Sequence, residues 1–154
     1  MLFKRVIPNI LLSENALYKT TNFKNKKYIG DPINTVKLFN DLMVDELIIL
    51  DIETTKKKLE PNFNLIEKMT SESFMPICYG GGIDDTEIAK KIFALGVEKI
   101  SINSKAIQDI TFIGKLAKIF GNQSIDLSVD IKKNLQGEFK IYSHKDNKNI
   151  NLDF

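Results

Sequence analysis

The chain has 154 residues and a mass of 17.6 kDa, enough for one domain with a sizeable core and too little for two ordinary ones. With 43% hydrophobic and 27% charged residues it reads as globular, neither disordered nor fibrous. Its 22 basic residues are nearly cancelled by 20 acidic ones, and the net charge of +2 excludes a nucleic-acid binder that works through bulk charge.

Lys4 and Arg5 precede an apolar stretch, as in a signal peptide, but Pro8 and Asn9 interrupt that stretch and no small-residue cleavage site follows. No run approaches the roughly 18 apolar residues of a membrane helix. Cys78 is the single cysteine, so no intramolecular disulfide is open to the chain and a cytoplasmic location is expected.

In chain order, the first apolar run is 5–12, followed by a turn at Ser13-Glu14-Asn15. Gly30-Asp31-Pro32 then opens a helix, with a capping aspartate and proline at the first helical position; Val36, Leu38, Phe39 and Leu42 form its apolar face. A second run, 46–52, leads to a helix over 63–69, and a third run covers 75–79. Asp84-Asp85-Thr86-Glu87 resembles a capping box for a helix through Ile88, Ile92, Phe93 and Leu95 that ends at Gly96. The fourth run, 99–103, precedes a helix over 112–120 closed by Gly121, and the fifth run is 124–131. These runs, rich in Ile, Val and Leu, predict strands buried on both faces of a parallel α/β sheet with right-handed crossovers. Residues 137–142 can pair with Ile131-Lys132-Lys133 as a polar hairpin, and a polar tail containing His144 follows, so 132–154 form a hairpin-and-tail extension of one domain. Periodicity and length together favour an open five-stranded sheet, because a (β/α)8 barrel needs about 200 residues or more.

Gly80-Gly81-Gly82 lies between a strand and a capped helix, where unhindered backbone amides can cradle a phosphate or simply make a flexible turn. Asn103 and Ser104, at the next strand end, share that rim and could complete one phosphate site. Asp51 and Asp130 each close an apolar strand, placed for acid–base work or for capping. Lys19, beyond the first turn, can reach an anionic substrate or stand solvated, and the run Lys56-Lys57-Lys58 reads chiefly as solvated. Arg5, Glu46 and Lys99 begin strands on the opposite face, either as solvated charges or as a mutually paired group. Cys78 reads as core and His144 as exposed. No metal-ligand spacing and no cofactor fingerprint is present, so neither a metal nor a cofactor is expected.

Lys4-Arg5-Val6-Ile7-Pro8, Lys19-Thr20-Thr21-Asn22-Phe23, Gly30-Asp31-Pro32, Asp45-Glu46-Leu47, Leu50-Asp51-Ile52, Gly80-Gly81-Gly82-Ile83, residues 99–103 and Val129-Asp130 occur in order over nearly the whole chain. Together they resemble the cyclase (HisF-like) subunit of imidazole glycerol phosphate synthase, from histidine biosynthesis. That resemblance implies a (β/α)8 barrel of the ribulose-phosphate-binding type, of which this chain carries about five units. It implies a glutaminase partner at the N-terminal barrel face and ammonia passing through the barrel to a phosphorylated small-molecule substrate.

By the same resemblance, Gly81, Gly82, Asn103 and Ser104 bind a substrate phosphate, Lys19 and Asp51 lie near the substrate, and Asp130 is a catalytic acid–base. Ser104 stands where threonine is common. Arg5, Glu46 and Lys99 become the charged ring through which ammonia enters. The family's other catalytic aspartate, in a Cys-Leu-Asp sequence, is replaced in Asn9-Ile10-Leu11 by Leu11, which should cost a cyclase roughly 10²–10⁴-fold.

Leu11-Leu12, with residues 28–34 and 74–80, is more similar to a branch found with surface-polysaccharide genes, where ammonia serves to amidate a sugar. Strands six to eight and a second phosphate site are expected to lie outside these residues, and self-association is another way to complete the barrel. An inactive half-barrel that binds a glutaminase is the non-enzymatic alternative.

Overall fold

The computed structural model describes residues 4–21, 24–134, 136–143 and 148–150. His144, and Asn22 and Phe23 of the second motif, lie outside the described residues. The parallel strands are β1 (Asn9–Ser13), β4 (Leu47–Asp51), β5 (Ile77–Gly80), β6 (Lys99–Ile102) and β7 (Ile125–Leu127), with β2 (Ala16–Thr21) and β3 (Lys24–Gly30) as an antiparallel hairpin after β1. Six helices intervene: α1 (Pro32–Asp41), α2 (Thr54–Lys57), α3 (Phe63–Glu72), α4 (Thr86–Ala94), α5 (Ser104–Gln108) and α6 (Thr111–Phe120).

The order across the sheet is β3-β2-β1-β4-β5-β6-β7. Each parallel strand therefore lies beside the next one in sequence. A doubly wound open sheet reverses its strand order at a switch point, whereas barrel units add in sequence order. The observed order is the barrel's, and the fold is the N-terminal part of a (β/α) barrel, not the open sheet that periodicity favoured.

Alternation along the strands separates two faces. Ile10, Leu12, Leu47, Ile49, Ile77, Tyr79, Ile100 and Ile102 pack under the helices against Val36, Ile66, Met69, Ala89, Ile92 and Leu116. The intervening residues, among them Leu11, Glu46, Leu50, Cys78, Lys99, Asn103, Asp126 and Asp130, point to the concave side. Helices α1 and α4 start at the caps the sequence offers, Asp31 accepting the amide of Asn34 and Asp85 those of Glu87 and Ile88, and α3 starts at Asn62, which accepts that of Leu65. No described helix is long and apolar enough to cross a membrane.

Three departures from the sequence reading have physical causes. Strand β1 begins at Asn9 rather than Arg5, because Pro8 has no N–H to give the ladder, although Val6 and Pro8 still accept from Asp45 and Ile48 across to the β4 side. The hairpin β2–β3 has no buried apolar run to announce it. Glu14 and Asn15, at φ 51° and 63°, make the two-residue turn that folds β2 back onto β1, Leu17 enters the core beside Leu12, and β3 then pairs with β2 from Leu17 opposite Gly30 to Thr21 opposite Lys24. Strand β7 stops at Leu127; residues 128–130 leave the sheet, and β8 (Ile131–Lys133), β9 (Phe139–Ser143) and β10 (Lys148–Ile150) form a separate antiparallel sheet containing the expected hairpin, with Lys133 opposite Phe139.

Candidate functional site

The C-terminal ends of the parallel strands open onto a cavity of about 730 Å³. The glycine turn forms one wall. Gly81 and Gly82 have φ of +126° and +69°; a Cβ on Gly81 would lie 2.5 Å from the Asp51 carbonyl oxygen, and one on Gly82 2.3 Å from Thr54 Cγ2. The turn is glycine because it is pressed onto the β4–α2 junction in a backbone region that side chains disfavour. The Gly82 N–H donates to Thr55 Oγ1 at 3.1 Å.

Ser104 opens α5 on the same rim, and Asn103 precedes it, both on the cavity wall. The Asn103 side-chain amide donates to Asp130 Oδ2 at 3.0 Å, bringing those two expected residues together. Asp51 accepts the backbone amides of Glu53 and Thr54 at 2.9 and 3.0 Å, so its carboxylate caps α2 at the cavity edge. Lys19 is exposed on β2, where its neighbour Thr20 faces the cavity. Leu11 lies on the wall beside Leu50 of β4, and the two give that part of the cavity an apolar surface.

At the other end of the strands, Arg5, Glu46 and Lys99 form one ion-paired group. Glu46, 1% exposed, accepts from Arg5 Nη2 at 2.8 Å and from Lys99 Nζ at 2.8 and 2.9 Å. Mutual pairing is what lets a carboxylate sit buried there. The hydrogen bonds from Lys99 to Glu46 hold that ammonium above its ordinary pKa. Just above, Cys78 Sγ lies 3.6 Å from Asp126 Oδ2; burial first, then the Asp126 charge, pushes the thiol well up. Such a cysteine stays protonated and unreactive.

Sequence reasoning missed Thr55, Asp126 and a rim network in which Lys26 pairs with Glu53, and Lys57 with Glu14 and Glu53, tying the β2–β3 hairpin to α2. Asp126 was legible in principle, because a strand over the expected run 124–131 would put it on the same face as Asp130. The rim pairs needed the hairpin's position first.

A sequence-ordered run of parallel strands, with a glycine turn at their C-terminal rim and a buried charged group at their floor, defines part of a (β/α) barrel. The histidine biosynthesis protein family model matches residues 5–154, and the chain belongs to that family. It is 50% identical over 143 residues, 93% of its length, to a Pseudomonas aeruginosa protein named "Putative imidazole glycerol phosphate synthase subunit hisF2", and covers 57% of that protein. A protein of the same name in Campylobacter jejuni is 46% identical over 86% of this chain and 53% of its own length. The imidazole glycerol phosphate synthase subunit HisF of a Thermotoga species is 33% identical over 99% of this chain and 60% of its own. The chain thus spans little more than half the length of these relatives.

Proposed function

We propose that the chain is part of an ammonia-conducting barrel of the imidazole glycerol phosphate synthase type, serving amidation of a sugar in surface-polysaccharide synthesis. The observation that carries this is Leu11 on the cavity wall. The family's chemistry, ring closure to imidazole glycerol phosphate with ammonia from a glutaminase, uses carboxylates as general acid and base, and leucine transfers no proton. Asp130 remains, oriented by Asn103. The floor group of Arg5, Glu46 and Lys99 is retained and ion-paired, as an ammonia entrance opposite a glutaminase would require.

In this reading Gly81, Gly82 and Ser104 hold an anionic group of the barrel's ligand, with Lys19 and Asp51 at the margins of the site. Deleting the gene tests the proposal. The deletion strain should grow without added histidine, and mass spectrometry of its surface polysaccharide should show a sugar with its amide or amidine group missing. A histidine requirement in that strain would overturn the assignment in favour of the cyclase.

A further inference from the structure

Gly82 has one N–H, and Thr55 occupies it. The amide donates to Thr55 Oγ1 at 3.1 Å in a half-buried turn, and Thr55 itself faces the cavity. A phosphate oxygen seated in the glycine turn needs that same N–H, because a backbone amide offers a single donor. We propose that the Thr55 hydroxyl is a placeholder for the anion: it satisfies the Gly82 amide while the turn is empty and must give way when a phosphate binds, which weakens anion affinity and keeps binding reversible. This rests on the reading of the glycine turn as a phosphate site.

The surroundings say how the exchange takes place. Helix α2 is a single turn, fixed at its start by the two amides that Asp51 accepts and at its end by Lys58 in the left-handed region at φ 54°. Glu53 and Lys57 bind it to the β2–β3 hairpin on one side. Thr54, the neighbour of Thr55, is 4% exposed and its methyl packs where a Gly82 Cβ would lie. The helix is thus anchored on several sides while the threonine side chain, attached through a single Cα–Cβ bond, is free to rotate. A rotamer change of Thr55 releases the amide without moving α2. Threonine in a helix divides mainly between two χ1 rotamers, so the hydroxyl has one position on the amide and one turned away from it.

The test uses inorganic phosphate as the probe and the whole chain as the protein. Phosphate is titrated while the backbone amide resonances of Gly81, Gly82 and Ser104 are followed by nitrogen–proton correlation spectra. Thr55→Val matches the shape but accepts no hydrogen bond, so phosphate no longer has a competitor, and the dissociation constant should fall about fivefold. Thr55→Ala, which admits water to the amide, should show a smaller gain in the same direction, and Thr55→Ser should bind as the parent does. Equal or weaker binding by both Thr55→Val and Thr55→Ala, with parent-like dispersion of the spectra, would overturn the inference while leaving the phosphate site standing. Absence of any phosphate response at these three amides in the parent and in the variants alike would overturn the site and the inference together.

Discussion

Replacing Glu46 by glutamine removes the one negative charge that two cations share, while keeping the shape of the side chain. Glu46 is 1% exposed and accepts three short hydrogen bonds, two of them from Lys99. The Arg5 side chain is 51% exposed and turns to water at little cost, so that pair contributes under about 1 kcal/mol. Lys99, at 27%, is held more firmly, and hydrogen bonds to charged groups are worth about 1.5–3 kcal/mol each. Breaking a buried pair costs about 3–5 kcal/mol, but the nearby Asp126 charge also favours the Lys99 ammonium and keeps the loss at the low end, about 3 kcal/mol. With a urea dependence of about 2 kcal/mol per molar for a domain of this size, the unfolding midpoint should fall by about 1.5 M. Arg5→Gln should lower it by no more than about 0.5 M. The assay is equilibrium urea unfolding followed by far-ultraviolet circular dichroism for both variants. If Glu46→Gln costs no more than Arg5→Gln, the carboxylate is not the keystone of the floor and the reasoning fails.

Gly82→Ala should lower the melting temperature more than Gly96→Ala does: both have positive φ, but only the Gly82 Cβ meets a side chain at 2.3 Å, and the difference between the two melts isolates that clash. Tyr79→Phe should change stability by no more than about 1 kcal/mol in urea unfolding, because the buried Tyr79 hydroxyl has only the neighbouring Thr54 to interact with among the described residues and makes no well-formed hydrogen bond to it. Glu53 is held below its ordinary pKa of 4.5 first by Lys26 and then by Lys57. Its contribution is therefore present above pH 4.5 and lost as pH falls through the lower folded value, so the melting-temperature gap between the parent and Glu53→Gln should be full at pH 7 and close in acid. A gap that persists unchanged at pH 3 would refute that linkage.

The parallel strands and the four longer helices were legible because each carries a continuous apolar run or a capped amphipathic face, signals that depend only on nearby residues. Asp31 and Asp85 cap where their spacing says they should, and Asn62, not singled out in the sequence, caps a third helix. The β2–β3 hairpin was not legible: its alternation is broken by Lys and Thr, and its stability comes from pairing with β1 and from ions on α2 far away in sequence. At the rim, the sequence pointed to Asn103 and Asp130 without showing that one side chain holds the other. For Asp51, where capping and acid–base readings both stood open, the structure shows the carboxylate bonded to two backbone amides. Arg5, Glu46 and Lys99 illustrate the limit in the other direction. The sequence left them open to a solvated or a mutually paired reading, and the fold shows Arg5 and Lys99 converging on the one buried carboxylate of Glu46.

The order of the strands also bears on how such a chain is made. Because β4 pairs with β1, β5 with β4, β6 with β5 and β7 with β6, every new strand finds its partner already in place. A chain emerging from a ribosome N-terminus first can therefore add one strand and one helix at a time, without waiting for a distant segment to arrive. Growth of this kind leaves a single advancing edge at each moment, and puts the burden of solubility during synthesis on whichever strand was added last. It also means that duplication, loss or exchange of whole units at that edge disturbs no earlier pairing, so the architecture can be lengthened or recombined in steps of one unit.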